Sequence, residues 1–501
     1  MRRHEPMPLE ERLALEVQEF LASDRRQWML SGQEYYDCGD TAITRRVLGH
    51  VENGRLIPDD SFPNNKLSHC FLHNMVDDKL AYLLSKPYTL RCDDPDLLAS
   101  LQAVLGAEFG YTLSELGYEA SNKGIGWLHV YLDEEGRFCT EVVPSEQCLP
   151  LWADDAHRRL DGMLRVYELV QYEGRVRTTR LCVDCYTDRE VTAYVLENGR
   201  LYEAVDLGEN PTQPHFVRDG RAEGWGMVPF VPFRNNRSER CDLTFVKSLI
   251  DEYDKCRSDN ANFLEELRRF YWVLKGYSGT DLTEFRRNLN WYGVIRVDDP
   301  EEGGADVISP PVDLSGFRDH FEQLRRDILE CGQAVNRNIN SLGSAPSGVA
   351  LRFLYSSLDL KCNHLEVEFA HSFRWLLRFV RKYLAMTGEP VSDGDVTLIF
   401  NRDVAVNESE AIDCCRASAE LLSRRTVLEQ HPWVQDVESE LERLRAEAAS
   451  AESGAAERDG APGAAGQAAG DAGASGDGAD TGGASPAADG AETNGGKEET
   501  A

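Results

Sequence analysis

Residues 225–266 of this 501-residue chain, WGMVPFVPFRNNRSERCDLTFVKSLIDEYDKCRSDNANFLEE, decide the fold. The segment begins with a short apolar piece, Met227–Phe233, that contains two prolines. Proline cannot donate to a central ladder, so we expect this strand at a sheet edge or near a strand's start. After the polar pair Asn235-Asn236, Asp242 can cap a helix whose apolar residues recur at helical spacing. The segment holds no histidine, glycine-rich phosphate loop or nucleophile beside a base, so it predicts a long structural helix attached to a small domain.

The same segment resembles the portal proteins of tailed bacteriophages, in the branch found in siphophages of Gram-positive hosts. That family pairs a P-F-x-x-F-x-N-N element with a K-S-L-I-D-x-Y-D helix and a following S-D-x-x-N. The matching residues in this chain are Pro229, Phe230, Phe233, Asn235, Asn236, Lys247–Asp251, Tyr253, Asp254, Ser258, Asp259 and Asn262.

Other segments carry the resemblance in the family's order. Asn64–Leu67 and Val76–Pro87 are similar to the family's N-N-K-L and Y-L-L-G-K-P patterns, with Ser85 where a glycine is common. Further along, Ser347–Arg352 looks like the family's S-G-V-A-L-K. The resemblance covers roughly residues 20–447.

The charge of the chain limits how it can meet nucleic acid. The formal net charge is −32, and residues 453–501 contribute nine acidic side chains against two basic ones, a net of −7 that leaves −25 elsewhere. Such a surface disfavours tight, non-specific binding of nucleic acid, which needs pairs between phosphates and cations. Walls of like charge would instead let DNA slide. The composition therefore argues against a DNA clamp and is compatible with a channel.

Thirteen cysteines are scattered without framework spacing, and the charged N-terminus does not predict a signal peptide. We therefore expect reduced thiols in a cytosolic assembly. Cys182 and Cys185 have C-x-x-C spacing, but no second pair lies at zinc-ribbon distance, so an ordinary strand is favoured over a metal site. No apolar run approaches the ~20 residues of a membrane span.

Periodicity predicts an α+β, mostly helical chain in five regions. Residues 1–90 have a helical pattern, and residues 91–233 combine a helix at Leu97–Ala120 with an antiparallel sheet. Residues 234–387 hold two long helices, from about Cys241 to Arg268 and from about Leu314 to Asn340, followed by a third long helix. The insert between the first two is predicted to contain short strands at Tyr271–Leu274, Gly293–Val297 and Ala305–Ile308 around a helix at Leu282–Leu289. Residues 388–449 begin with a strand and continue as two helices, the last with an apolar seam. Residues 450–501 are rich in Ala, Gly, Asp and Glu, and we expect them to be disordered.

The resemblance implies an elongated portal fold and assigns a part to each region. It gives a wing at 1–233, stem helices at 234–268 and 314–340, a clip at 269–313, a tunnel loop at 341–348, a long wing helix and strand at 349–405, crown helices at 406–449 and a tail at 450–501. The family's ring is dodecameric, so we expect this chain to be a homo-oligomer.

The tunnel loop is the candidate functional site that the resemblance implies. Its small, neutral residues suit a mobile loop that borders DNA without binding bases. The candidate channel residues are Arg337, Asn338, Asn340, Ser341, Leu342, Gly343, Ser344, Ala345, Pro346 and Ser347. From the residues alone, Arg337, Asn338 and Asn340 could border DNA phosphates or only solvate a helix end. Lys247 and Lys255 could face the channel, but we favour pairing with acidic neighbours on a solvated face.

Catalytic and metal sites are not predicted. Adjacent acidic residues point apart on helices and strands, which disfavours a metal-dependent nuclease. These pairs are Asp59-Asp60, Asp77-Asp78, Asp93-Asp94, Asp154-Asp155 and Asp298-Asp299. His69 and His73 have helical spacing but no third ligand nearby, so packing is favoured over metal binding. No Walker motif is present, so energy for DNA movement would come from a partner ATPase.

The sequence thus predicts a non-enzymatic portal subunit without a cofactor. The resemblance implies double-stranded DNA, the terminase large subunit, the head–tail adaptor, and the major capsid and scaffold proteins as partners, with no membrane. It places the protein at a capsid vertex of the virion, and in the host cytoplasm during assembly. The alternatives are a minor capsid or scaffold-interacting protein without a channel, and a DNA-processing enzyme of the packaging machinery.

Overall fold

The computed structural model describes residues 7–59, 63–205, 210–218, 220–266, 271–275, 304–308, 314–336, 348–389, 392, 394–402, 408–434, 437 and 439–447. The chain forms two compact units, residues 1–410 and residues 411–501. Among the described helices, none has the length and apolar character needed to cross a membrane.

Helices account for much of the first unit. They are α1 (Leu9–Ala22), α2 (Asp24–Tyr36), α3 (Phe71–Leu84), α4 (Pro95–Leu105), α5 (Phe109–Lys123), α6 (Lys247–Glu266), α7 (Leu314–Cys331) and α8 (Gly348–Thr387). The chain continues with α9 (Glu408–Ser418), α10 (Arg424–Glu429) and a helical stretch at 439–447. The predicted seam of the last helix begins at Val434, which lies outside this stretch, while Leu441 and Leu444 lie within it.

The strands pair in antiparallel fashion, as predicted. They are β1 (Gly49–Glu52), β2 (Arg55–Pro58), β3 (Thr89–Cys92), β4 (Ile125–Leu132), β5 (Phe138–Val143), β6 (Cys148–Trp152), β7 (Leu160–Glu173), β8 (Val176–Tyr186), β9 (Glu190–Glu197), β10 (Arg200–Glu203), β11 (Thr212–Pro214), β12 (Phe216–Arg218), β13 (Arg221–Glu223), β14 (Phe230–Arg234), β15 (Tyr271–Lys275), β16 (Gly304–Ile308) and β17 (Val396–Ile399). The largest sheet has the order β10-β9-β8-β7-β6, with β11 also paired to β9. The prediction of a mixed, mostly helical α+β chain is confirmed.

The proline-containing strand lies where proline chemistry predicts. In the described residues, β14 forms one edge of a three-stranded sheet of order β14-β4-β5. Pro232 stands opposite Trp127 of β4 in this ladder. An edge strand leaves one side of its backbone without a ladder partner, so the missing N–H of proline costs little there.

Of the four buried hydrophobic clusters in the described residues, two fix the helices of the first unit on its sheets. The larger core joins α3, α4, α5, β14 and α8, and Phe233 of β14 packs edge-to-face on Phe369 of α8 with 5.1 Å between ring centroids. Both rings are fully buried. Burying such a side chain contributes about 1.5–3 kcal/mol, so these contacts fix α8 against the sheet. A second core packs Leu13 and Val17 of α1 on the large sheet.

The two long helices begin and end differently from the prediction. We expected a helix from about Cys241 to Arg268, but Asp242–Phe245 is a separate 3₁₀ turn and α6 begins at Lys247. Asp242 does not cap the helix, because its carboxylate accepts hydrogen bonds from Lys79 and Asn235. The backbone of the 3₁₀ turn forms hydrogen bonds between residues three apart, and in the last of these Val246 N donates to Leu243 O at 3.0 Å.

The second long helix ends nine residues before the predicted Asn340, at Cys331. Gln333 adopts a left-handed φ of 53°. Ala334 N donates to Leu329 O at 2.9 Å, and Gln333 N donates to Glu330 O at 3.1 Å. This pair of hydrogen bonds is a Schellman motif, which closes a helix with a left-handed residue. Because the left-handed residue is a glutamine rather than the usual glycine, the sequence carries no signal for the end of this helix.

Three further differences concern local structure. The predicted helix at Leu97–Ala120 is two helices, α4 and α5, because Gly106 takes a φ of 71° between them. The region predicted as helical, 1–90, also contains the hairpin β1–β2 and the strand β3. The hairpin turns at Asn53-Gly54, both with positive φ, and the Asn-Gly pair is the sequence signal typical of such a turn.

The cysteine prediction is wrong for one pair. Cys38 and Cys70 are joined in a disulfide, with their Cα atoms 5.6 Å apart. Cys38 follows α2 and Cys70 precedes α3, so the fold of the intervening residues brings together two thiols whose spacing carries no such signal. Cys182 and Cys185 lie on β8 as predicted, both buried in the sheet.

The insert between α6 and α7 contains the paired strands β15 and β16, as predicted. Its predicted helix at Leu282–Leu289 and strand at Gly293–Val297 lie outside the described residues. The predicted tail, 450–501, also lies outside them.

Candidate functional site

The predicted channel residues fall outside the described structure. Arg337, Asn338, Asn340 and the loop 341–347 all belong to the interval between Asn336 and Gly348. On the N-terminal side of this interval, the carbonyl of Gly332, just after α7, joins a polar junction with side chains from α3, α8 and the segment before α6. The junction therefore holds the end of α7, from which the chain continues toward the predicted loop.

A buried carboxylate holds the junction together. Lys79 of α3 donates from Nζ to Asp242 Oδ2 at 2.7 Å and to Asn235 Oδ1 at 2.9 Å. Lys361 of α8 brings its Nζ to 3.1 Å from the same Oδ2 and donates to the Gly332 carbonyl at 2.9 Å. Asn235 donates from Nδ2 to Asp242 Oδ1 at 2.8 Å. One carboxylate therefore connects α3, α8, the 3₁₀ turn before α6 and the residue after α7.

The electrostatics of the junction require the carboxylate to stay ionised. Burial opposes this, but Lys361 and Lys79 outweigh burial and hold the pKa of Asp242 well below its usual range. Burial lowers the pKa of Lys79, and Asp242 opposes that shift. Because the lysine and the aspartate side chains are 1% and 4% exposed, water cannot replace either partner. Removing one partner would leave an uncompensated buried charge.

The Asn-Asn pair of the resemblance has a local explanation in the structure. Asn235 N donates to the Gly124 carbonyl at 3.0 Å, which ties the end of β14 to the end of α5. Asn236 Oδ1 accepts from Ser238 N and Arg240 N at 3.1 and 3.2 Å. Asparagine side chains commonly stabilise turns by this kind of contact. The two residues therefore shape the turn that leads into α6.

A second polar interface runs along α6. Asp254 Oδ1, Ser258 Oγ and Asn262 Oδ1 stand four residues apart and accept from backbone N–H groups at 3.2, 2.9 and 2.7 Å. The donors are His69, Leu67 and Asn65, two residues apart and in reverse order. Four residues of α-helix rise about 6 Å, and two residues of extended chain span about 6–7 Å. The two spacings match, so the segment 65–69 lies along one face of α6.

These contacts connect two motifs of the resemblance that are far apart in sequence. The N-N-K-L segment supplies the donors, and the Y-D and S-D-x-x-N positions of α6 supply the acceptors. His69 Nδ1 also meets Asp254 Oδ1 at 2.7 Å. Burial raises the pKa of Asp254 to about 6, and the contacts from His69 oppose that shift. The motif residues therefore hold α6 to the N-terminal region.

Other predicted site residues have structural partners. Lys247 pairs with Asp251 at 2.6 Å, and Lys255 pairs with Glu252 at 3.3 Å, so the predicted pairing is confirmed. His73 contacts Asp77 at 3.3 Å. Other members of the acidic pairs act locally: for example, Asp94 caps α4 by accepting from Asp96 N and Leu97 N. Asp298-Asp299 lies outside the described residues.

One group of potential metal ligands was not predicted. Glu252, Cys256 and His320 bring one ligand atom each within 4.8 Å of one another, between α6 and α7. Cys256 Sγ donates to Glu252 Oε1 at 3.2 Å, and Lys255 donates to Oε2 at 3.3 Å. Burial and the Glu252 hydrogen bond raise the pKa of Cys256 to about 11. The carboxylate is therefore satisfied without an ion, and the protonated thiol is a poor ligand.

α6 and α7 run antiparallel away from the junction. Tyr253 meets Phe321 with 6.1 Å between ring centroids, and Phe263 meets Phe317 with 6.5 Å. α6 has 20 residues, which is about 30 Å of helix. The junction thus lies at one end of the helix pair, and the insert leaves from the other end.

One protein family and two known proteins match most of this chain in sequence. The family described as "Phage portal protein, SPP1 Gp6-like" matches residues 24–454. The portal protein of Bacillus phage SPP1 is 31% identical over 435 residues, which is 86% of this chain and 86% of that protein. The portal protein of Clostridium phage phiCD119 is 30% identical over 434 residues, which is 84% of this chain and 92% of that protein.

A solved structure described as "Neck of native GTA particle computed with C12 symmetry" covers 71% of this chain and 89% of its own, with 14% identity and a TM-score of 0.36. A similarity of this size does not establish a shared fold. The family match and the two relatives cover most of the sequence, including both interfaces described above. The chain therefore belongs to the SPP1 Gp6-like family of phage portal proteins.

Proposed function

We propose that this chain is a portal subunit whose copies form a dodecameric ring at a unique capsid vertex. Double-stranded DNA would pass through the ring during packaging and ejection. The terminase large subunit and then the head–tail adaptor would dock on it, and the major capsid and scaffold proteins would surround it. The proposal rests on the family match over residues 24–454 together with two portal relatives at 30–31% identity.

The parts of the ring follow the division made from the sequence. In this proposal residues 1–233 with β17 form the wing, 234–268 and 314–340 form the stem, and 269–313 form the clip. Residues 341–348 form the tunnel loop, 349–405 contribute the long wing helix, and 406–449 form the crown. The antiparallel pair α6–α7, anchored at one end by the buried junction, supports the assignment of the stem. The subunit would be located in the virion and, during assembly, in the host cytoplasm.

An exposed stripe on α8 supports packing between copies. Phe353, Leu360 and Val367 are 82%, 57% and 67% exposed and stand seven residues apart. Seven residues are two helical turns, so the three side chains share one face. Burying a side chain of this kind fully is worth about 1.5–3 kcal/mol, so covering the exposed fractions would contribute roughly 3–6 kcal/mol per contact. A neighbouring copy in a closed ring is the partner that the portal assignment supplies.

This support can be tested by variants of the stripe. Phe353→Ser with Leu360→Ser should weaken ring association by at least tenfold, measured by mass photometry across a dilution series. Val51→Ser with Leu56→Ser is the matched control, because these side chains are also 72% and 52% exposed but lie on the β1–β2 hairpin. Equal association of both variants would contradict the role of the stripe.

The tunnel loop assignment has its own test. Shortening the loop 341–347 should leave ring assembly intact and reduce DNA packaging or retention in infected cells. Unchanged packaging would show that this loop does not border DNA. An effect on assembly alone would point to a structural role at the end of α7.

The alternative functions predict different results. A minor capsid or scaffold-interacting protein would give monomers or sheets in negative-stain images. A DNA-processing enzyme would show metal-dependent DNA cleavage that Asp77→Asn abolishes. Asp77 accepts a hydrogen bond from Tyr36 and contacts His73, which favours a structural role for this carboxylate.

A further inference from the structure

A basic cavity lies in the first unit, and its lining includes Arg240 and Cys241, which immediately precede the junction's Asp242. It has a volume of about 800 Å³ and is bordered by α2, the loop after β6 and the turn before α6. Six cations line it, Arg25, Lys123, Arg158, Arg234, Arg237 and Arg240, against Asp155 and Glu239. Counting lysine, arginine, aspartate and glutamate side chains, the lining carries a net charge of +4, in a chain whose net charge is −32. The cavity therefore has the opposite charge to the protein as a whole.

The wall of the cavity is held in place by one buried carboxylate. Arg25 donates to Glu239 Oε2 at 2.8 Å, while His157 and Arg234 approach Oε1 at 2.9 and 3.1 Å. The Glu239 side chain is 8% exposed. Glu239 and His157 both have left-handed backbones, with φ of 52° and 53°. Non-glycine residues adopt this conformation infrequently, so two of them in one cavity wall indicate a locally constrained backbone.

Three of the six cations lack an acidic partner among the described residues. Arg158, Arg237 and Arg240 are exposed, and among the described residues none of their guanidinium groups has an acidic partner. Glu239 is already shared by Arg25 and Arg234, and Lys123 is paired with Glu119 and Glu146. Like charges gathered around one recess repel each other. A bound anion removes that cost, and guanidinium groups bind carboxylates with two parallel hydrogen bonds.

We propose that this cavity receives a carboxylate-bearing loop from a neighbouring copy of the chain. The inference rests on the proposed ring and names a contact that holds it together. Copies that each carry −32 repel one another, so a ring needs a local site where opposite charges meet. Head-to-tail contacts in a ring join two different faces, and an acidic face is abundant in a chain with 86 acidic and 54 basic side chains.

The size of the cavity favours a peptide over DNA. A recess of about 800 Å³ holds a few side chains, as small-molecule and peptide sites do. A DNA duplex presents its phosphates along an extended convex surface and needs a long groove or channel, whereas this cavity is a recess of limited size. Trp28, which is 38% exposed on the rim, adds an apolar surface that suits a peptide.

Charge reversal in the purified full chain tests the proposal. The variant Arg158→Glu, Arg237→Glu, Arg240→Glu should need at least a tenfold higher protein concentration than wild type to form rings in mass photometry. Its matched control, Arg55→Glu, Arg175→Glu, Arg177→Glu, has the same net charge but changes exposed arginines outside the lining. The control should assemble nearly as wild type does. Equal assembly of the two variants would overturn the cavity proposal, whereas wild-type protein that forms no rings would overturn the proposed function and this inference together.

A photo-crosslinker identifies the occupant. Placed at Ser238 on the cavity wall, it should give crosslinks between copies that map to a segment bearing Asp or Glu. The same crosslinker at Thr179 on β8 is the control and should not give them. Crosslinks from Ser238 to DNA, to another protein, or to a segment without carboxylates would each overturn the proposal.

Discussion

The buried junction gives the sharpest prediction of stability. Asp242→Asn keeps the shape of the side chain and removes the charge that Lys79 and Lys361 share. Breaking a buried ion pair by removing one partner costs about 3–5 kcal/mol. After the substitution Lys79 keeps Asn235 Oδ1 and Lys361 keeps the Gly332 carbonyl as acceptors, so we expect the lower end, about 3 kcal/mol.

The assay is urea unfolding of the purified chain, followed by fluorescence of the buried tryptophans of the first unit. The matched control is Glu252→Gln, which breaks the Lys255–Glu252 pair with side chains 59% and 46% exposed and should cost about 0–1 kcal/mol. Adding Lys79→Met to Asp242→Asn should recover part of the loss, because it removes the uncompensated charge. A loss for Asp242→Asn no larger than for Glu252→Gln would refute the account of the junction.

The pH dependence of this variant follows from the direction of the pKa shift. The pKa of Asp242 in the folded protein lies below its ordinary value of 3.8. The carboxylate therefore binds fewer protons when folded, and its stabilisation is fully present above pH 3.8 and is lost as the pH falls below that value. The difference in unfolding free energy between wild type and Asp242→Asn should thus be constant near neutral pH and shrink at acidic pH. A difference that grows on acidification would contradict the assignment.

Two further predictions test other contacts. Ser258→Ala should destabilise the chain by about 1–3 kcal/mol and speed hydrogen exchange at the Leu67 amide, because that N–H loses its acceptor. Unchanged exchange at Leu67 would contradict the register of the segment 65–69 along α6. Gly32→Ala should lower the melting temperature by several degrees or prevent folding, because a Cβ there would stand 1.8 Å from the Asn122 carbonyl oxygen. The control Gly110→Ala, where the nearest atoms are 3.9 Å from the added Cβ, should be neutral or slightly stabilising. Equal tolerance of the two substitutions would refute the close approach of α2 and α5.

Local periodicity predicted the elements that bury one regular face. The long helices, the antiparallel strands of 91–233 and the edge position of β14 follow from apolar spacing and from proline and turn chemistry. Where the prediction failed, tertiary contacts or an unusual backbone conformation overrode the local sequence signal. Asp242 has the position of an N-cap, but two lysines from other helices bind its carboxylate. Gln333 ends α7 in a conformation that sequence signals assign to glycine.

The interfaces could not be derived from spacing alone. Asn65 and Asn262 are separated by 197 residues, and only the fold shows that one binds the other. The basic cavity likewise gathers Arg25, Arg158 and Arg237 from three separate segments. For the motif positions Asp254, Ser258 and Asn262, the structure adds the hydrogen bonds that explain why an acceptor side chain stands there.

We propose that copies of this chain form a ring around a DNA channel. Electron cryomicroscopy of the purified full-length protein tests it most directly. We predict closed rings with rotational symmetry, a central opening wide enough for duplex DNA, and the Phe353, Leu360 and Val367 face of α8 covered by the neighbouring copy. Monomers, open sheets or rings without a central opening would contradict the claim.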